Sequence, residues 1–351
     1  MGEESRRYDS IQLLRAVAAV MVVVFHSKLA MSPADRELLW TWPGLTDFGD
    51  TGVSLFFVIS GFIIANSVSR PRFSVCDFVW RRFMRLYPLY WMVMLVGLYA
   101  YNARNWFSAD VESLGAAGMI KSFLIFPQKQ FPFWNPGWSL EHELIFYAIA
   151  ALIGPIFGLR VLALVMVSLW LVGYNLTFEW DYHLFADPQI YFAAGVLAYI
   201  LRGRGWAVSF PVAVALLGFA YLCYYRVLPY SYTHAGVAFA FGCAALIVML
   251  ADLEQRWRVP RFVVTIGDAS YSLYLWHWLV IPIAATGRGH LDGSPEVWRW
   301  IIVAASIAAA LASYFTIERW TVKASRWERS RLLQPEYRPQ EKCTKRTGRH
   351  G

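Results

Sequence analysis

Apolar runs of roughly 20 residues recur along this chain, the length a helix needs to cross the hydrocarbon core of a bilayer. Ten spans are predicted, at approximately 11–30, 52–68, 86–102, 138–158, 161–177, 189–201, 207–224, 233–250, 263–284 and 298–317. Barrel strands would alternate apolar and polar residues over segments of about ten, and these runs do not. Composition agrees: 58% of the 351 residues are hydrophobic and 16% are charged, where a soluble domain carries about 25% charged residues. The expected fold is all-α, a polytopic transmembrane helical bundle of about ten helices. The stretch 114–127 is apolar but short and interrupted by Lys121, which suits a re-entrant or interfacial piece.

The basic residues orient the bundle. With the N-terminus placed in the cytoplasm, twenty-three of the 32 Lys and Arg residues fall in inward segments and six in outward ones. Positive charge marks the cytoplasmic side, so both termini are expected there. The net charge of +8 then reads as orientation signal, and no nucleic-acid partner is expected. Residues 1–320 form the expected membrane domain, and 321–351 a basic, flexible cytoplasmic tail able to touch anionic lipid. Arg6 and Arg7 precede the first run as in a signal peptide, but the run contains Arg15, lacks a small-x-small cleavage site and is the first of many. Cys76, Cys223, Cys243 and Cys343 are scattered without a CxxC pair, so neither a disulfide framework nor a metal site is expected. No second domain able to fold in water is recognised. No internal repeat is recognised either, and inverted repeats are common in secondary transporters.

Ionisable residues inside spans mark function, because they are costly there and face the bundle interior or a watery cavity. The first span, "IQLLRAVAAVMVVVFHSKLA", holds Arg15 and His26. Eleven residues at about 100° each bring both to one face, about 16 Å apart along the axis. Together they predict one polar groove through much of the membrane depth. In the second span, "GVSLFFVISGFIIA", small residues at the centre permit close helix approach. In "RRFMRLYPLYW", Arg82 and Arg85 are three apart and share a helix face, and the guanidinium fork suits phosphate. In "NPGWSLEHELIFY", Glu143 and Tyr147 share a face while Glu141 is turned about 200° from Glu143. A single inward carboxylate is expected there, and Glu141, His142 and Glu143 point too differently to bind one metal. "SYSLYLWHWLV" places His277 in the ninth span, where a lone histidine reads as a hydrogen-bonded structural residue.

Together these stretches resemble the acyltransferase 3 family of integral-membrane O-acyltransferases. The likeness rests on Arg15 and His26 with ten residues between, Gly52 to Phe62, Arg82 and Arg85, Trp138, Ser139, Leu140, Glu143, Phe146 and Tyr147, and Ser270 to His277. It covers roughly residues 8–320 in the family's order and is similar above all to members that acetylate bacterial exopolysaccharide or lipopolysaccharide sugars. Ser54, Leu279 and Trp320 depart from residues common in the family. No extracytoplasmic hydrolase domain is expected, so the chain would act as the membrane part alone, passing an acyl group to a partner or acylating its acceptor directly.

The resemblance implies an acyl-CoA donor, usually acetyl-CoA, in the cytoplasm, and a sugar hydroxyl, possibly lipid-linked, as acceptor. It also implies a bacterial inner membrane location, and no permanently bound cofactor is expected. His26 is then the candidate base or transient acyl carrier. Glu143 is the candidate carboxylate to orient it, and Arg15, Arg82 and Arg85 the candidates for the CoA phosphates. Trp138, Ser139 and Tyr147 are candidates for the acceptor. Two other classes fit a polar groove: a transporter or flippase of a lipid-linked sugar or small metabolite, and an inactive partner in a polysaccharide export complex. The acyl group, the sugar, the oligomeric state and the roles of Asp50, Asp268, His277 and Glu318 are left open by the sequence.

Overall fold

The computed structural model describes residues 8–39, 48–104, 108–177, 183–203, 205–254, 256–288 and 294–321. The described residues are helical with no strand. The helices are α1 (Asp9–Ser27), α2 (Pro33–Glu37), α3 (Thr51–Val68), α4 (Val75–Arg104), α5 (Ser108–Leu124), α6 (Gly137–Phe157) and α7 (Leu159–Asn175). They continue with α8 (Pro188–Leu201), α9 (Trp206–Tyr224), α10 (Tyr232–Leu253), α11 (Arg261–Asp268), α12 (Ser270–Arg288) and α13 (Pro295–Ser313). The basic tail lies outside the described residues beyond Thr321.

Each expected span falls on helix, and among the described residues seven helices are long and apolar enough to cross a membrane. Leu159–Asn175 and Pro188–Leu201 are shorter apolar helices. The span expected at 263–284 is divided: α11 ends at Asp268, Ala269 caps it, and α12 restarts at Ser270. The last span continues beyond α13 as a π-helical turn, Tyr314–Glu318. The apolar piece at 114–127 forms the end of α5 and docks on α4. Its last carbonyls, on Ser122, Phe123 and Leu124, accept hydrogen bonds from Tyr90, Trp91 and Tyr87 at 3.0, 2.8 and 2.9 Å. Those bonds satisfy carbonyls that a helix C-terminus leaves without an intrahelical partner.

The burial pattern is that of a protein dissolved in lipid. Leu152, Ile156, Leu164 and Val208 point outward, each more than 60% exposed, whereas Glu141, Ser272 and His277 are fully buried. Polar groups withdrawn inside an apolar rim are what a bilayer solvent demands. The helix α1 is central, packed by α3, α10, α11, α12 and α13. Its first turn meets a carboxylate: the Asp9 N–H and the Ser10 hydroxyl both donate to Glu254 at the end of α10. An acidic group there complements the positive end of the helix dipole.

The glycine in the "SGF" segment has the role expected of it. Gly61 of α3 lies against Gly195 of α8, and a Cβ built on Gly195 would stand 2.0 Å from the Val58 carbonyl oxygen. One built on Gly61 would stand 2.3 Å from the Phe192 carbonyl oxygen. Backbones meet directly, the contact that small residues permit in membranes where no hydrophobic force drives helices together. Gly195→Ala is expected to destabilise the protein by about 1–3 kcal/mol, the usual cost of overpacking. Thermal unfolding of the detergent-solubilised protein checks this, and an unchanged midpoint would refute it.

Candidate active site

Two cavities lie beside α1, and Arg15 and His26 of that helix fall one in each. The larger encloses about 460 Å³ and is lined by Arg15, Arg82, Arg85, Ser60, Glu143 and Tyr147 among others. That volume suits an organic ligand. The smaller encloses about 80 Å³ and is lined by His26, Asp50, Asn135, Trp138 and His277. Val53 and Tyr274 line both. The single groove expected from the sequence is thus two chambers with a common wall. The cause is Tyr274, whose hydroxyl lies 2.8 Å from Ser139 Oγ and ties α12 to α6.

The larger chamber is cationic on one side. Arg15 from α1 donates to Gln12 Oε1 at 3.2 Å. Arg82 lies over the rings of Phe78 and Tyr147, and its Nε has no hydrogen-bond partner. Arg85 donates from Nη1 to Glu318 Oε1 at 2.9 Å, leaving the rest of its five-donor fork for other partners. Glu318, in the π-helical turn, is 1% exposed and accepts a second bond from Ser272 at 2.7 Å. So the three arginines named from the sequence converge on one cavity, and Glu318, whose role was open, anchors one of them. Lone π-helical turns recur at functional sites.

Glu143 faces this larger chamber. Its Oε1 accepts from Ser60 at 2.6 Å and from Tyr147 at 2.5 Å, as the four-residue spacing from Tyr147 foretold. It does not line the chamber of His26. The expectation that α6 turns a single carboxylate inward is corrected: Glu143 is half-buried against the larger chamber, and Glu141 is fully buried on the other side of the helix. There His183, from the segment before α8, lies 2.7 Å from Glu141 Oε2 and supplies the partner that makes the burial tolerable.

The smaller chamber holds a histidine pair. His26 Nδ1 and His277 Nε2 are 3.2 Å apart, and the rings stack at 5.2 Å. His277 is therefore hydrogen-bonded, as expected, but its partner is His26 itself. Trp278 meets His26 edge-on at 5.5 Å. The three candidate acceptor residues are divided: Trp138 lines the smaller chamber, whereas Ser139 and Tyr147 line the larger. Ser60, Tyr274 and the His26–His277 pairing were not singled out from the sequence. A weak signal existed for Tyr274 and His277, which stand three apart and so share a face.

Fold and site together define a membrane-embedded helical protein with a polar site enclosed in its bundle. The chain belongs to the acyltransferase 3 family: the family's acyltransferase domain matches residues 8–318. It is 27% identical over 297 residues to the exopolysaccharide production protein ExoZ of Rhizobium meliloti, covering 80% of this chain and 92% of that protein. It is 30% identical over 315 residues to the putative membrane-bound transacylase BcsY of Komagataeibacter xylinus, covering 80% and 74%. It is 26% identical over 347 residues to the acyltransferase MdmB of Streptomyces mycarofaciens, covering 87% of each. No solved structure matches the chain.

Proposed function

We propose that this acyltransferase moves an acyl group, acetyl in the simplest case, from cytoplasmic acyl-CoA to a hydroxyl of a cell-surface or exopolysaccharide sugar. The observation that carries this reading is the pairing of a chamber lined by three arginines with a second chamber holding two histidines, across a shared wall. The name of the exopolysaccharide production protein supports a polysaccharide acceptor. The charge count supports placing both termini in the cytoplasm, and the bacterial relatives support an inner-membrane location.

In this reading Arg15, Arg82 and Arg85 hold the phosphates of the donor, and the flexible pantetheine arm runs along α1 towards His26. Two neutral imidazoles share a hydrogen bond only when one nitrogen carries the proton and the other is bare. When His26 Nδ1–H donates to His277 Nε2, the His26 Nε2 is free to take a proton. His277 then holds the place that a carboxylate holds in a serine-hydrolase triad. The acceptor hydroxyl attacks the thioester carbonyl, forming the C–O bond as its proton passes to His26 Nε2. Collapse breaks the C–S bond, and that proton leaves with the CoA thiolate. An acyl-histidine route would use the same nitrogen. Glu143 acts as a positioning carboxylate that holds Tyr147 and Ser60, and Trp138 offers the sugar a stacking face.

Purified protein given acetyl-CoA and native acceptor membranes is expected to release free CoA and form alkali-labile esters. A transporter or flippase would do neither. Arg15→Ala or Arg82→Ala is expected to raise the donor KM about 10- to 100-fold, the worth of one hydrogen bond to a charged group, with kcat little changed. A fall in kcat at constant KM would remove these arginines from donor binding.

A further inference from the structure

The wall between the chambers bears on which acyl groups can react. Tyr274 is buried, fixed by its hydroxyl to Ser139 at 2.8 Å, and its ring lies 6.1 Å from Phe56 on one side and 5.9 Å from His277 on the other. It therefore touches the arginine-lined chamber and the histidine pair at once. The histidine chamber beyond it holds about 80 Å³. A water molecule occupies about 30 Å³ of liquid, so the space equals two to three waters. An acetyl group, with three heavy atoms, occupies about two such volumes and leaves room for at most one more carbon, since each further methylene adds another water's volume, about 30 Å³. The rim is rigid: Trp138 and the stacked imidazoles are aromatic, and Val53, 8% exposed, is β-branched and stiff.

We propose that Tyr274 and Val53 are the specificity-determining wall of this acyltransferase, and that the chamber they close beside His26 admits acyl groups of two or three carbons and excludes longer ones. The proposal rests on the donor reading given above and adds to it the acyl class and the residues that set it. Tyr274 acts through shape and through its tie to Ser139, which holds the ring at the boundary of the two chambers.

The test is a donor series: radiolabelled acetyl-, propionyl-, butyryl- and octanoyl-CoA, each given to native-host membranes carrying the full chain in a background deleted for the gene. Alkali-labile label on endogenous polysaccharide is the readout. For the wild type, relative kcat/KM is expected to fall about 10-fold or more per methylene beyond propionyl, the discrimination a filled pocket gives. Val53→Ala removes two methyl groups from the wall, and Tyr274→Phe removes the tie. Each is expected to raise the butyryl-to-acetyl ratio at least 10-fold. Equal use of acetyl and octanoyl groups by the wild type, or unchanged ratios in both variants at normal membrane levels, would overturn the proposal. Should both variants fail to accumulate, Val53→Ile, which adds one methyl group to the wall, carries the test: it is expected to lower the propionyl-to-acetyl ratio, and an unchanged ratio would overturn the assignment. Label transferred from none of the four donors would overturn the acyl-CoA reading itself.

Discussion

His26→Ala is expected to lower ester formation by about 10²- to 10⁴-fold, the usual contribution of a positioned general base, with membrane levels and donor binding retained. The expectation follows from position. His26 is the only residue of α1 that lines the histidine chamber, and its Nδ1 is already engaged with His277. The reactive atom left to it is Nε2. His277→Ala should cost less than His26→Ala, because it removes the partner that sets the tautomer and leaves the base. Proton NMR of surface polysaccharide, before and after mild alkali, counts the esters. Equal losses in the two variants would show that the imidazoles act as one unit. Unchanged esters in His26→Ala would remove the chemistry from this chamber altogether.

The second large effect concerns stability and has an asymmetric form. Arg85 and Glu318 make an ion pair in which the arginine side chain is 27% exposed and the carboxylate 2%. Removing one partner of such a buried pair costs about 3–5 kcal/mol because a charge is left uncompensated. Removing Arg85 leaves Glu318 without its ion-pair contact, with Ser272 as hydrogen-bond donor and Arg15 as the neighbouring cation, whereas removing Glu318 leaves Arg85 beside the chamber. Arg85→Ala is therefore expected to be the more damaging. The double replacement Arg85→Ala with Glu318→Ala should be milder than Arg85→Ala alone. Thermal unfolding of the four proteins in detergent tests the order. A double variant less stable than Arg85→Ala would show that the pair is not the source of the loss.

What could be read in the sequence was local. The eleven-residue spacing of Arg15 and His26, the three-residue spacing of Arg82 and Arg85, and the four-residue spacing of Glu143 and Tyr147 each fix a shared helix face. The structure places the second and third pairs together and sets the first pair in adjoining chambers. Helix existence was legible for the same reason, since a bilayer obliges an apolar run of that length to satisfy its backbone internally. What could not be read was which helix meets which. His26 and His277 are 251 residues apart, Arg85 and Glu318 are 233 apart, and Ser139 and Tyr274 are 135 apart. No spacing rule spans those separations, so a partner for His26 was sought in Glu143, one helix too far away in the packing. The division of the expected ninth span at Ala269 carried only a weak signal, Gly267 and Asp268 just before the break, and no proline stands there.

The meeting of Gly61 and Gly195 bears on how such an enzyme changes its diet. A helix pressed backbone to backbone against its neighbour cannot slide outward to enlarge a chamber, nor swing a rotamer aside. Capacity on the α3 side is then a matter of carbon count: what is trimmed from the side chains at 53, 138 and 274 is what an incoming acyl group gains. New donor ranges in this scaffold would arise by small, cumulative substitutions at a few positions, without rebuilding the bundle.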